Sequence, residues 1–445
     1  MFLLLIFQAL SSQGYEQAVI YGNSEILGYY YVDIWVGTPS VLQTVIIDTG
    51  SRLTAFPCIG CESCGKHMDP YFDYKKSNTS RIIQCNEGIS CTSCNSDTCG
   101  YSQSYSEGSS ISGMLVEDIV MFGDDFAKAQ KVRAVFGCHR KETYLFRTQQ
   151  ADGIMGFAQK KNNILTLVDV LYKDNKIDSN VFSICFGKED GIMSIGGYNN
   201  SWHKGNISWT GYYDESFYAV KMDKLKLNET KIEVKSSDFS SQYTTGTIID
   251  SGTTFTYLSS KIYTALYKDF EKFCEEKGRC DGKTTDVYGE AHDCYMYDYE
   301  KYADIADFFA TFPTIKLGIE SIEVEWKAKY YLFAWPETPD IFCVGVYSNG
   351  AGGNVFGGNF MRGQNVIHDR DNRKIGFAES NCTPEYPHNK SRSTIPYYIG
   401  QKTDISVFSV VFYSCGIMTM ASLSILYILK KRSKSIQMTE ENQEV

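Results

Sequence analysis

The apolar positions of this chain fall mostly in short runs and seldom in helical stripes. Tyr29-Tyr30-Tyr31-Val32-Asp33-Ile34-Trp35-Val36, Val132-Arg133-Ala134-Val135-Phe136 and Val181-Phe182-Ser183-Ile184-Cys185-Phe186 are rich in β-branched and aromatic residues and are bounded by Gly, Asn or Pro. Such runs predict strands. The best helical pattern is Ser260 to Cys274, with Ile262, Leu266, Phe270 and Phe273 on one face. The class predicted is mostly β.

One run occurs twice. Val45-Ile46-Ile47-Asp48-Thr49-Gly50-Ser51 returns as Thr247-Ile248-Ile249-Asp250-Ser251-Gly252-Thr253. Each copy reads as a buried strand that delivers an Asp into a tight Gly turn flanked by hydroxyl residues. A carboxylate at the end of a buried strand is costly unless something uses it. Two of them, one per half of a duplicated chain, suit an acid–base pair. If they face each other, both cannot ionise, and the pair shares one proton. The halves echo each other again in Ala151-Asp152-Gly153-Ile154-Met155-Gly156-Phe157 and Asn354-Val355-Phe356-Gly357-Gly358-Asn359-Phe360. Each places an apolar pair and a Gly about a hundred residues after its Asp loop. This predicts a segment that passes beside the Asp strand and braces it.

The chain has 445 residues, enough for two or three domains with their own cores. With 32 Tyr, 26 Phe and only 9 Pro it is not of low complexity. Its net charge of −10 argues against a nucleic-acid partner. Residues 2–10 are apolar and are followed by small and polar residues to Gly14, which predicts a secretory signal over 1–14. Residues 405–429 carry no charge and suffice to cross a bilayer as one helix. Lys430-Lys431-Arg432-Ser433-Lys434 then places the tail, 430–445, in the cytosol. Between these ends the expectation is a first lobe over 15–187, a second over 188–381 and a stalk over 382–404.

Of the 15 Cys, Cys415 lies in the predicted span, which leaves an even number before it. In an oxidising compartment that predicts up to seven disulfides. Cys58-x-x-Cys61-x-x-Cys64-x-x-His67 also has metal-ligand spacing. The secretory context favours disulfides over zinc, and no metal or cofactor is expected. Six Asn-x-Ser/Thr sequons, at Asn78, Asn199, Asn206, Asn228, Asn381 and Asn389, fit a lumenal body.

The paired Asp loops and their trailing Gly motifs, in this order, resemble the pepsin-like aspartic proteases over about residues 28–381. The resemblance implies a bilobal fold whose Asp48 and Asp250 hold one water between them. Thr49 and Ser251 would tie the loops together, and Gly50 and Gly252 form the turns. Ser51 and Thr253 would hydrogen-bond the outer carboxylate oxygens. Gln103-Ser104-Tyr105-Ser106-Glu107-Gly108-Ser109 looks like the family's flap, with Tyr105 shielding the water.

Within the family, four features resemble the plasmepsin V and nepenthesin-type group. They are Phe56-Pro57-Cys58-x-x-Cys61-x-x-Cys64-Gly65-x-His67, the flap residues, Gly137-Cys138-His139 and Gln149-Gln150-Ala151. Plasmepsin V carries an unpaired Cys after the flap Tyr, where this chain has Ser106. There, a flap Glu and a later Gln bind a substrate Arg; the matching positions here are Glu107 and Gln149. An exposed hairpin tip is the alternative reading of Glu107. The resemblance further implies disulfides Cys185–Cys382 and Cys294–Cys343. Cys274–Cys280 is expected as a local loop, whereas the partners of Cys138 and of the seven Cys between Cys58 and Cys99 stay open. Too few residues precede Gly28 for a long inhibitory prosegment, so none is expected.

The expected activity is that of an aspartic endopeptidase. Its substrates would be secretory or membrane polypeptides, and it would be anchored by one C-terminal helix, with the endoplasmic reticulum as the favoured site. The rivals are a surface or post-Golgi sheddase of the same chemistry and an inert peptide-binding protein on the same fold.

Overall fold

The apolar runs form strands: Tyr29–Val36, Val132–Glu142 and Val181–Phe186. The second continues past Phe136 because the neighbouring strand Ser110–Phe122 supplies backbone partners as far as Ile111 opposite Glu142. The helix spans Ser260–Cys274 and buries Ile262, Leu266 and Phe270. Its fourth apolar residue, Phe273, is half-buried and has the Arg279 guanidinium 4.2 Å from its ring centroid.

The computed structural model describes residues 14–384, apart from 124–125, 127–128, 160–163, 241–245 and 285–292. The expected signal (except Gly14), most of the stalk, the membrane-crossing helix and the tail lie outside the described residues. Among the described residues no helix is long and apolar enough to cross a membrane.

Two β lobes meet at a shared antiparallel sheet. Its strands, in spatial order, are Ser208–Gly211, Lys374–Glu379, Gln364–Asp369, Val181–Phe186, Asp190–Ile195 and Glu16–Asn23. The central pairing sets Val181 against Asp369 and Cys185 against Asn365, which joins the first lobe to the second. Residues 187–188, where sequence divides the lobes, form the turn between two strands of this sheet. Val181–Phe186 is buried at every position, as expected of a strand covered on both faces. From Glu16–Asn23 the order continues through Tyr29–Val36 to Val41–Asp48, so the shared sheet leads directly to the first Asp.

Seven disulfides close the described residues. Cys185–Cys382 fastens the end of the second lobe to the shared sheet across 197 residues of sequence, and Cys294–Cys343 and Cys274–Cys280 staple the second lobe. In the first lobe Cys58 joins Cys138, Cys61 joins Cys64, Cys85 joins Cys94 and Cys91 joins Cys99. The sulfurs of the Cys58, Cys61 and Cys64 run are thus bonded to sulfur, and none is left as a thiolate ligand.

Candidate active site

Val41–Asp48 is buried from Gln43 to Asp48. It lies between Tyr29–Val36, antiparallel, and Gly153–Gly156, parallel. Gly156 stands opposite Asp48, and the Phe157 N–H donates to the Asp48 carbonyl at 2.8 Å. In the second lobe Thr247–Ile249 runs parallel to Val355–Phe356, and the Asp250 N–H donates to the Phe356 carbonyl at 2.9 Å. Each apolar–Gly segment therefore flanks its own Asp strand. Before the first of them, buried Asp152 accepts from the Thr44 N–H at 2.6 Å and from the Asp69 N–H at 2.9 Å.

The two loops are cross-bonded. The Thr49 N–H donates to Ser251 Oγ at 3.0 Å, and the Ser251 N–H donates to Thr49 Oγ1 at 2.9 Å. Each hydroxyl donates in turn across the interface, Thr49 to the Ile249 carbonyl at 3.0 Å and Ser251 to the Ile47 carbonyl at 2.8 Å. This leaves neither hydroxyl free to rotate.

The carboxylates have matching partners. Asp48 accepts from the Gly50 N–H at 2.8 Å and from the Ser51 hydroxyl. Asp250 accepts from the Gly252 N–H at 3.0 Å and from the Thr253 hydroxyl at 2.6 Å. The loops cross so closely that a Cβ on Gly50 would lie 2.7 Å from an oxygen of Asp250, and one on Gly252 would strike Asp48. Only a residue without a side chain leaves the opposite carboxylate in place. Burial first, and the charge of Asp250 second, push the Asp48 pKa well above the usual carboxylate range; the Ser51 and Gly50 hydrogen bonds oppose this.

Thr98–Ser104 and Ser110–Phe122 pair as the hairpin expected to form the flap. At its tip the Tyr105 N–H donates to the Ser109 carbonyl at 2.9 Å, and the Gly108 N–H to the Tyr105 carbonyl at 3.0 Å. Gly108 takes φ +99°, a backbone conformation that favours glycine, and has open space around it. The Tyr105 ring packs 5.0 Å from Phe146. Burial raises its hydroxyl pKa, and the charge of Asp48 adds to this.

Glu107 is half-buried and accepts from the Ser109 hydroxyl. Its pKa is raised chiefly by burial, with a smaller contribution from the charge of Asp250. Gln149 caps the short helix Leu145–Thr148, and its side-chain amide donates to the Ala151 carbonyl at 3.2 Å. Among the described residues no hydrogen bond joins Glu107 to Gln149.

Behind the flap lies a buried polar network to which sequence reasoning gave no role. Glu142 Oε1 meets His139 Nδ1 at 2.7 Å, and Oε2 meets His67 Nε2 at 3.1 Å. The Gly65 N–H also donates to Oε2, at 2.9 Å. Burial alone would raise the Glu142 pKa, but these hydrogen bonds prevail and hold it down at about 2. In the sequence His67 ends the Cys58-x-x-Cys61-x-x-Cys64 run and His139 lies in Gly137-Cys138-His139, but nothing local joins either of them to Glu142.

Two β lobes about a shared sheet define a pepsin-like hydrolase fold. A family model for eukaryotic aspartyl proteases matches residues 29–380, and the chain belongs to that family. It is 32% identical over 419 residues to Aspartic protease 5 of Toxoplasma gondii, a match that covers 86% of this chain and 40% of that relative. It is 26% identical over 501 residues to Plasmepsin V of Plasmodium falciparum, with 93% and 80% covered. Aspartyl protease family protein 1 of Arabidopsis thaliana is 29% identical over 393 residues, with 84% and 71% covered. The chain spans less than half the length of the first of these relatives.

Proposed function

We propose that this protein is an endopeptidase that hydrolyses secretory or membrane polypeptides with a water held between Asp48 and Asp250. The observation that carries the reading is the crossing of the two Asp loops, where the glycine after each Asp lies against the opposite carboxylate. One carboxylate, ionised, takes a proton from the water as the water attacks the scissile carbonyl. The other, protonated, donates to the developing oxyanion. Ser51 and Thr253 hold the outer oxygens, and the Thr49–Ser251 bonds keep the loops at a fixed separation.

Tyr105 closes the flap over the bound peptide and excludes bulk water. Glu107 takes an arginine of the substrate, with Gln149 as a second polar contact. A guanidinium pairs with a carboxylate through two parallel hydrogen bonds, and it would relieve the cost of burying Glu107.

The same reading sets the protein in the secretory pathway, with the endoplasmic reticulum favoured. The seven disulfides support an oxidising compartment. Residues 1–14 act as the signal, 382–404 as a stalk and 405–429 as the single membrane anchor. Anchoring concentrates substrates near the bilayer.

Cleavage of a diverse peptide library by the purified full chain, with and without Asp48→Ala, tests the proposal. Asp48-dependent cleavage with an upstream basic preference is expected. A wild-type chain inert from acidic to neutral pH, or an Asp48→Ala chain as active as wild type, overturns it. Tight binding of a transition-state-mimicking inhibitor separates a working dyad from an inert cleft.

A further inference from the structure

One imidazole holds both ends of the loop that supports the flap. His67 comes from the Cys-rich insertion, next to the Cys61–Cys64 disulfide. Its Nε2 meets Glu142 Oε2 at 3.1 Å, and its Nδ1 meets the Gln149 carbonyl at 3.2 Å. Glu142 and Gln149 bracket residues 143–148. Inside that bracket Thr143 is bonded to the flap: its N–H donates to the Ser110 carbonyl at 3.0 Å, and its Oγ1 accepts from the Ser110 N–H at 2.7 Å. Phe146, in the same bracket, packs 5.0 Å from the flap Tyr105 and 6.2 Å from His139.

Both partners of His67 are acceptors, one a carboxylate and the other a carbonyl. A neutral imidazole has one N–H and satisfies only one of them; the imidazolium satisfies both. We propose that His67, as the imidazolium clamped between Glu142 and the Gln149 carbonyl, is a positioning residue that fixes the 143–148 loop under the flap, and that substrate binding weakens when it loses its proton.

The surroundings agree with a retained proton. The His67 and Glu142 side chains are fully buried, and Glu142 is held ionised. Burial opposes the charge on His67, but the Glu142 bond and charge, the more distant charge of Asp152 and the Gln149 carbonyl outweigh it and raise the pKa. His139, on the other arm of Glu142, has its pKa lowered, chiefly by burial. Tyr71 faces His67 from the insertion, with ring centroids 6.4 Å apart, and Tyr101 faces His139 from the flap strand at 6.4 Å. Lys66, Lys141 and Arg147 are exposed. Because the folded-state pKa is raised, the clamp is present below it and is lost as pH rises through it.

The proposal rests on the peptidase reading above, and the test keeps the two apart. In the full chain, kcat and KM on one peptide substrate are measured separately against pH for wild type and His67→Gln. The wild-type KM is expected to rise on the alkaline side while kcat follows the dyad. His67→Gln, left with a neutral donor, is expected to show a KM on the order of ten-fold higher at mildly acidic pH, about the effect of one lost charge-assisted hydrogen bond, with no further alkaline rise. A variant that keeps the wild-type dependence of KM on pH overturns the clamp. If His67→Gln does not fold, ¹⁵N-histidine NMR of the wild-type chain decides: both His67 nitrogens protonated at mildly acidic pH upholds the clamp, and a neutral ring with one N–H overturns it. A chain that shows no Asp48-dependent cleavage overturns the peptidase reading, while the NMR result still judges the protonation of His67.

Discussion

Thr49 and Ser251 hold each other's backbone: each N–H donates to the other's hydroxyl, at 3.0 and 2.9 Å. Their hydroxyls then donate to the Ile249 and Ile47 carbonyls. The lobes are thereby locked together where their two carboxylates meet. Replacing Thr49 by Val keeps its shape but leaves the Ser251 N–H and the Ile249 carbonyl unpaired in a buried place. The expected loss is about 1–3 kcal/mol in denaturant unfolding, together with a lower kcat. Thr49→Ser keeps the hydroxyl and should lose much less. Equal losses for the two variants would argue against the cross-bonding as the cause.

Asp48→Ala and Asp250→Ala should each abolish turnover, and the protein should still fold. Removing Asp48 takes away a buried carboxyl whose desolvation is costly, so unfolding should show little loss of stability or a gain. Activity assays paired with thermal unfolding check this. Residual activity near the wild-type level in either variant would exclude a two-carboxylate mechanism.

In the proposed mechanism the dyad works only with one proton shared between its members, so kcat should be bell-shaped in pH. Burial and Asp250 strengthen the hold of Asp48 on a proton. The alkaline limb, where the last proton leaves, is therefore expected well above the ordinary carboxylate range. A monotonic kcat profile would contradict the shared proton.

Glu107→Gln keeps the size of the flap residue and removes its charge. It should lower kcat/KM on the order of ten-fold for peptides with an arginine upstream of the cut, the size of one lost charge-assisted contact, and leave neutral peptides largely unaffected. Uniform loss across peptides would point to a role in flap shape instead.

His368 sits in the shared sheet between Phe182, stacked at 4.4 Å, and Tyr218 at 4.6 Å. Burial is the main cause that lowers its pKa to about 3. The unfolded chain therefore binds a proton that the native protein refuses. Stability from this group is present above the unfolded value and falls as the medium is acidified, by at most about 1.4 kcal/mol per pH unit between about 6.5 and 3. His368→Phe should remove that dependence, which chemical unfolding at neutral and acidic pH would measure. An unchanged slope would assign acid sensitivity elsewhere.

Much of this protein was legible before any fold was known. The strand runs at Tyr29–Val36 and Val181–Phe186 and the helix Ser260–Cys274 depend on local periodicity, which one stretch of chain carries by itself. The duplicated Asp-Thr/Ser-Gly loops are also local, because a turn and its hydroxyls are encoded side by side. What tertiary structure decided are partnerships between distant residues. Cys58 joins Cys138 and not a neighbouring Cys, a choice that spacing leaves open among many pairings. Glu107 reads from sequence as a hairpin tip or as a cleft residue, and the fold leaves it half-buried and bonded to the Ser109 hydroxyl. His67, read as the last member of a metal-like run, lies instead between Glu142 and Gln149, which are 75 and 82 residues away in sequence. The physical reason is common to all three: local pattern determines which face a residue presents, but only the folded topology brings together the groups that set its partner, its charge and its use.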